Sequence, residues 1–348
     1  MTNYDRIDRI AALPRDELRA LLTRLNDSEA EHLFARARAV REQSYGNAVF
    51  LRGLIEFSSY CKNDCYYCGL RCGNPRAERF RLQHDDILNC CRMGYSLGIR
   101  TFVLQSGEDP YFDDARMVPI VQAIRREFPD CAITLSLGER SRESYQALYD
   151  AGANRYLLRH ETANLEHYAK LHPANMRLEN RLHCLQTLRE IGFQVGCGFM
   201  VGSPGQTIEC LLDDLTFLSE FQPEMVGIGP FLPHSGTPFA HAPPGTTDQT
   251  LLLLAITRLL LPNALLPATT ALGTLHLSGR EQALRAGANV IMPNLSPAEA
   301  RKQYLLYDGK ASADADIVDS LRSLKDCVER AGYVIEVSRG DPKINKNS

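Results

Sequence analysis

No stretch of this sequence is long and apolar enough to be read as a membrane span. The longest apolar run, LLLLAITRLLL at residues 251–261, is interrupted by Arg258. It falls well short of the ~20 residues that a bilayer core requires, so it reads as a buried helix. Residues 1–22, MTNYDRIDRIAALPRDELRALL, are polar and amphipathic, with neither an apolar core nor a small-residue cleavage site. That excludes a secretory signal and makes the cytoplasm the expected compartment. An excess of one charge is also missing: 39 Lys and Arg stand against 42 Asp and Glu, a formal net charge of -3. Without a basic field, nucleic acid is excluded as the main partner. No linker, internal repeat or low-complexity tract divides the chain.

What the sequence does have is cysteine, eleven residues of it. A chain of 348 residues with no sign of export is not a disulfide scaffold, and cysteines in a reducing compartment serve as metal ligands, catalytic groups or small core residues. Cys90, Cys91, Cys131, Cys184, Cys197, Cys210 and Cys327 are scattered and read as core. The other four, Cys61, Cys65, Cys68 and Cys72, crowd into FSSYCKNDCYYCGLRCGNPR, and the first three are spaced C-x3-C-x2-C.

Residues 1–46 have apolar positions at helical spacing and read as an N-terminal helical extension. Beyond them short apolar runs alternate with longer amphipathic ones. Strands are expected at 51–58, 101–107, 132–138, 155–161, 193–202, 225–231, 266–272 and 289–294, each pair separated by enough chain for a helix. Eight such units imply parallel strands with right-handed crossovers closed into a complete (β/α)8 TIM barrel over residues 47–325. A doubly wound open sheet is the alternative. Residues 326–348 read as a helix end followed by a loose polar tail. Polar residues gather where the expected strands end, at the barrel face that carries chemistry in such enzymes, and the cysteine loop follows the first strand there.

Three thiolates are one fewer than a 4Fe–4S cluster or a structural zinc site takes up, so the spacing leaves a position open for a ligand. A zinc site with Cys72 as the fourth ligand is the competing reading. The loop, with Tyr67 just before its third cysteine, resembles the radical S-adenosylmethionine (SAM) superfamily. The resemblance implies that Cys61, Cys65 and Cys68 bind one 4Fe–4S cluster whose open iron chelates SAM. Cys72 stays outside that set, because a fourth thiolate would close the iron. QSGED, from Gln105, resembles the element that meets the methionine part of SAM, which assigns Ser106 and Gly107 to it. GFMVG, from Gly198, resembles the glycine element beside the adenine, which places Met200 there; Tyr67 and Ser136 join the cofactor side.

Further blocks extend the likeness. IEFSSYCKNDCYYCGLR, RYLLRHETAN, VGIGPFLPHSGTPFA, PATTALGT and GREQALRAGANVIMPNLSP resemble the HydE family of FeFe-hydrogenase maturases, in a group with 3-methylornithine synthase and biotin synthase. That resemblance implies that Glu161 hydrogen-bonds SAM and that Arg181 pairs with its carboxylate through a bidentate fork. Without the family, Arg181 reads as a solvated helix residue and Glu161 as a rim ion pair with Arg159 or His160. Thr134, Arg159, Thr269, Thr270, Met292 and Tyr304 are candidates to face a small anionic or organometallic substrate inside the barrel. An arginine there is costly unless an anion meets it. Thr269 and Thr270 cannot both face inward in a regular strand. Other hydrogenase maturases and an electron donor are the implied partners.

The sequence departs from the family at its C-terminal region, where many members carry a further cluster on three cysteines. Here only Cys327 stands there, so no second iron–sulfur cluster is expected, and a paralogue with another small buried substrate becomes an alternative. A lysine mutase like 3-methylornithine synthase is another alternative, and would need an inward acid for an ammonium group. An iron–sulfur scaffold or electron carrier without catalysis is a third.

Overall fold

The structure is a computed structural model, which describes residues 1–23, 25–310 and 316–343. Among the described residues eleven strands form: β1 (Ala48–Leu51), β2 (Gly53–Ser58), β3 (Thr101–Ser106), β4 (Ala132–Ser136), β5 (Arg155–Leu157), β6 (Gln194–Cys197), β7 (Met200–Val201), β8 (Met225–Val226), β9 (Gly229–Pro230), β10 (Val290–Ile291) and β11 (Val334–Glu336). The sheet β2-β3-β4-β5-β6-β8 is parallel throughout. Parallel bridges Met225–Leu265, Pro267–Val290 and Leu54–Asn294 carry the hydrogen bonding on around the ring and back to β2. The eightfold barrel expected from the alternation is therefore the fold.

Its seventh position differs from expectation. Residues 266–272 do not make a strand; only Leu265 and Pro267 bridge to their neighbours. Pro267 has no N–H to give to a ladder. Thr269 then caps the helix Thr270–Leu275, its hydroxyl accepting from Leu272 N at 3.4 Å. The run 193–202 is likewise split into β6 and β7 at Gly198, whose φ of +149° suits glycine, and a Cβ there would lie 2.1 Å from the Gly227 carbonyl oxygen.

Alternation on the first strand sorts its side chains. Val49, Leu51, Ile55 and Phe57 join the large core between strands and helices, while Ala48 and Phe50 pack inside the barrel with Met225, Leu265 and Val290. The helices Asn3–Asp8, Arg15–Thr23 and Asp27–Tyr45 form the N-terminal extension. Ile7, Leu18, Leu21 and Leu33 bury into the same core, and Arg15 pairs with Asp213 at 2.6 Å on a barrel helix.

The tail expected to be loose is tied down through Lys343; residues 344–348 lie outside the described residues. β11 pairs in parallel with β1, and the segment after it closes the barrel floor. Arg155, fully buried, donates to the carbonyls of Arg339 (2.9 Å) and Gly340 (3.1 Å), to Asp341 Oδ1 (2.7 Å), to Gln194 Oε1 (2.7 Å) and to Thr101 Oγ1 (3.2 Å). A guanidinium with five acceptors is the condition under which its burial is tolerable.

Residues 304–310 strap the opposite end. Leu306 O accepts from Gly69 N (2.9 Å), Asp308 N donates to Pro233 O (3.2 Å) and Asp308 Oδ2 accepts from Ser235 N (2.8 Å). Lys310 reaches inward to ion-pair with Glu56, whose side chain is 1% exposed, and also donates to Tyr304 O at 3.0 Å.

Candidate active site

The loop after β2 is too short to fold on its own, and other elements hold it. Lys62 N donates to Glu108 O (2.9 Å), Tyr66 N to Leu171 O (3.0 Å) and Cys72 N to Asn63 O (2.9 Å). Arg79 donates to the carbonyls of Leu70 (2.9 Å) and Arg71 (2.8 Å), which pulls the turn tight. Cys61, Cys65 and Cys68 are half-buried and face one cavity of about 290 Å³, whereas Cys72 is exposed and does not line it. Burial raises the Cys61 thiol, raises Cys65 strongly, and pushes Cys68 up to about 12. Such thiols ionise only if a positive centre takes up the charge. Cys72, the fourth ligand of the zinc reading, lies apart from the cavity that the other three share.

The cavity also gathers most of the residues singled out from sequence. Tyr67, Ser106, Gly107, Ser136, Arg159, Glu161, Arg181, Met200, Thr269 and Tyr304 line it. Gly107 has no room for a side chain: a Cβ would lie 2.3 Å from the Tyr60 carbonyl oxygen and 2.7 Å from Cys61 Cβ. Glu161 adopts a left-handed φ of +65°, unusual for a non-glycine residue. Its backbone is fixed on both sides, its N–H donating to Gly198 O (3.0 Å) and its carbonyl accepting from Met200 N (3.1 Å). The side chain pairs with Arg159 at 3.2 Å, yet Glu161 Oε2 and Arg159 Nε lack a hydrogen bond of good geometry. Both are buried polar atoms of a kind that native proteins rarely leave unsatisfied.

Arg181 is no solvated helix residue. Its guanidinium is buried, with Nε 2.7 Å from Glu139 Oε1 and Nη2 3.9 Å from Glu108 Oε1. Burial opposes its charge, but Glu139, followed by Tyr168 and Glu108, outweighs that and raises its pKa. The 2.7 Å contact is poorly aligned as a hydrogen bond, so Nε remains available to a better-placed acceptor.

Three of the expected substrate residues do not line the cavity. Thr134 is buried below it with an unpartnered hydroxyl, Thr270 has left the strand for the helix that Thr269 caps, and Met292 packs with the inner apolar cluster of Phe50, Met225 and Leu265. Sequence reasoning missed Gln105, Leu157 and Tyr307 as cavity walls. Gln105 and Leu157 share the inward face with Arg159 and were findable by strand alternation. Tyr307 comes from the strap, for which the sequence offers no periodic signal.

Comparison with known proteins places this arrangement. The family model for the Radical SAM superfamily matches residues 55–218. The chain is 50% identical over 280 residues to the FeFe hydrogenase maturase subunit HydE of Thermotoga maritima, covering 80% of each. It is 32% identical over 320 residues to the 3-methylornithine synthase of Methanosarcina acetivorans, covering 91% of this chain and 88% of that one. The crystal structure of methylornithine synthase (PylB) superposes with a TM-score of 0.82 at 28% identity over 96% of this chain and 97% of that chain. The maturase HydG of Carboxydothermus hydrogenoformans shares the fold, with a TM-score of 0.80 at 20% identity over 96% of this chain and 78% of that chain. With its three-cysteine loop at the mouth of a parallel barrel, the chain belongs to the radical SAM superfamily, as an enzyme of the group that contains HydE and 3-methylornithine synthase.

Proposed function

We propose that this chain binds one 4Fe–4S cluster through Cys61, Cys65 and Cys68, cleaves SAM reductively, and acts in assembly of the FeFe-hydrogenase diiron precursor as HydE does. The observation that carries the reading is the meeting of those three thiols with Glu161, Arg159 and Arg181 in one cavity of about 290 Å³, in a chain half identical to a HydE. The donor set fits the cofactors. Three thiols leave one iron open, and the unsatisfied Glu161 Oε2 and available Arg181 Nε suit an ammonium or hydroxyl and a carboxylate. When bound, the cluster and SAM supply a single-electron cleavage that yields a 5′-deoxyadenosyl radical.

The protein's own residues bind, orient and seal. Gly107 stands against Cys61, with Ser106 beside it on the cavity wall, where the methionine part of SAM would lie, and the missing side chain at Gly107 lets the two backbones meet. Tyr67, Ser136 and Met200 wall the adenosyl side. Arg159, with Thr269 and Tyr304 across the cavity, favours a small anionic or organometallic substrate. The strap crosses one end of the barrel and the plug closes the other, which narrows the access of water, as a reactive intermediate requires.

The lysine-mutase alternative needs an acid for a substrate ammonium: Glu108 and Glu161 line the cavity, whereas Glu56, matched by Lys310 and by Asn294 Nδ2 at 2.8 Å, does not. Cys327, buried in the helix Ile317–Arg330, supports a single cluster. Among the described residues no helix is long and apolar enough to cross a membrane, and the cytoplasm, an electron donor and the other maturases remain part of the proposal.

Anaerobic reconstitution followed by SAM and dithionite tests the reading. Formation of 5′-deoxyadenosine is expected, and its absence from iron-replete protein refutes it. Supplying an iron–carbonyl–cyanide–cysteine synthon or lysine then separates the maturase from the mutase.

A further inference from the structure

We propose that His172 is a positioning residue for Tyr67: a buried imidazole that accepts a hydrogen bond from the phenol and so fixes the aromatic wall between two cluster cysteines. Tyr67 lies between Cys65 and Cys68 and faces the cavity. Its hydroxyl is 3.1 Å from His172 Nε2, and the two rings meet edge to face at 5.3 Å and 89°.

The direction of that bond follows from the other ring nitrogen. His172 Nδ1 is 3.0 Å from the carbonyl oxygen of Tyr168, which can only accept, so Nδ1 carries a hydrogen. Burial drives the imidazole's pKa down to about 4, with the nearby Arg181 and His167 acting in the same sense, and the ring is neutral at physiological pH. Nε2 is therefore bare, and Tyr67 must be the donor. One tautomer and one hydroxyl orientation satisfy the pair.

The support behind His172 is equally fixed. It is 2% exposed, and the Tyr168 ring stacks on it at 3.9 Å and 23°. One residue earlier, Leu171 O receives Tyr66 N at 3.0 Å. The C-terminal end of the helix Leu165–Leu171 is thus a bracket for the cysteine loop, gripping it once through the backbone and once through Tyr67. Without the imidazole acceptor, the buried phenol would be left with the Cys65 sulfur, a weak acceptor, and its ring would turn toward it.

This inference rests on the SAM reading, and the experiment separates the two. Cluster-loaded full-length protein is prepared as wild type, His172→Phe, His172→Gln, Tyr67→Phe and the double variant His172→Phe/Tyr67→Phe. Iron and sulfide content, the electron paramagnetic resonance spectrum of the reduced cluster with and without SAM, and SAM affinity are measured. Iron content is expected to stay at the wild-type level. His172→Phe and Tyr67→Phe each weaken SAM binding by roughly five- to tenfold, the scale of one hydrogen bond, and shrink the SAM-induced spectral change. The double variant is no worse than either single one, and His172→Gln, which offers an amide oxygen where Nε2 was, binds within about twofold of wild type. If wild type responds to SAM but the two single effects multiply in the double variant, or His172→Phe responds as wild type does, the positioning role is overturned and the SAM reading stands. Should His172→Phe fail to load iron, equal SAM affinities for Tyr67→Phe and wild type overturn the role in its place. A wild-type spectrum indifferent to SAM overturns both.

Discussion

Replacing Lys310 with Met removes the cation from the Glu56 pair and leaves a carboxylate that is 1% exposed with Asn294 as its remaining side-chain partner. Breaking a buried pair on one side costs about 3–5 kcal/mol. Glu56 can limit the loss by taking up a proton. Burial already raises its pKa above the ordinary 4.5 against the pull of Lys310, and without Lys310 it rises further. Neutralising it at pH 7 costs about 1.4 kcal/mol per unit above 4.5, roughly 3 kcal/mol in all. The expected deficit at pH 7 is therefore about 3 kcal/mol. The sign of its pH dependence follows from the raised folded-state value: the folded protein holds this proton more tightly than the unfolded chain, so the variant loses stability as pH rises above 4.5 and recovers it as pH falls. Urea denaturation of anaerobic protein at pH 5, 6, 7 and 8 measures this. Glu56→Gln/Lys310→Met, with neither charge, should regain most of the deficit and lose the pH trend. A Lys310→Met deficit below about 1 kcal/mol, or one equal at pH 5 and pH 8, would refute the account of a desolvated pair.

Other outcomes follow from single contacts. Gly107→Ala puts a methyl group 2.3 Å from the Tyr60 carbonyl, so the cysteine loop must shift, and iron content after reconstitution should fall well below wild type. Cys72→Ser should load iron and cleave SAM at wild-type levels, since the thiol is exposed and outside the cavity, while serine at Cys61, Cys65 or Cys68 should abolish 5′-deoxyadenosine formation. Burial works against the charge of Asp341, but Arg155 outweighs it and holds the carboxyl below its ordinary 3.8. Its stabilisation is present above 3.8 and lost as pH falls toward the folded-state value. Asp341→Asn should therefore lower the melting midpoint near pH 7 and have a diminishing effect below pH ~4.

Much of this architecture was legible because it is periodic. The long strands 53–58, 101–106 and 132–136 are the short continuous apolar runs that parallel strands buried on both faces show, and the helices between them carry their own repeat. The cysteine spacing pointed to a metal site with one open position, iron–sulfur or zinc, and the resemblance to the radical SAM superfamily chose between them. The seventh strand was overread because PATTAL has strand-forming residues, while Pro267 and the capping Thr269 interrupt it. β11 was missed because Val334 lies exposed and only half a turn of sequence distinguishes VIE from its polar surroundings. Inward pointing was harder to infer than membership of a strand. Arg159 and Tyr304 reach the cavity, but Thr134 and Met292 sit in lower layers, because a sequence gives the face of a strand and not its height in the barrel. The bracket around Tyr67 joins residues a hundred positions apart, and nothing local announces it.

The floor of the barrel has a consequence for how the molecule is made. Three of the five groups that receive Arg155 belong to Arg339, Gly340 and Asp341, which a ribosome synthesises after every barrel strand has been laid down. A nascent chain can complete its ring of eight positions and still stand open underneath, with a guanidinium short of acceptors. The stopper is thus the last piece of the vessel to be made, and the ring of strands waits for it before its buried guanidinium is fully met.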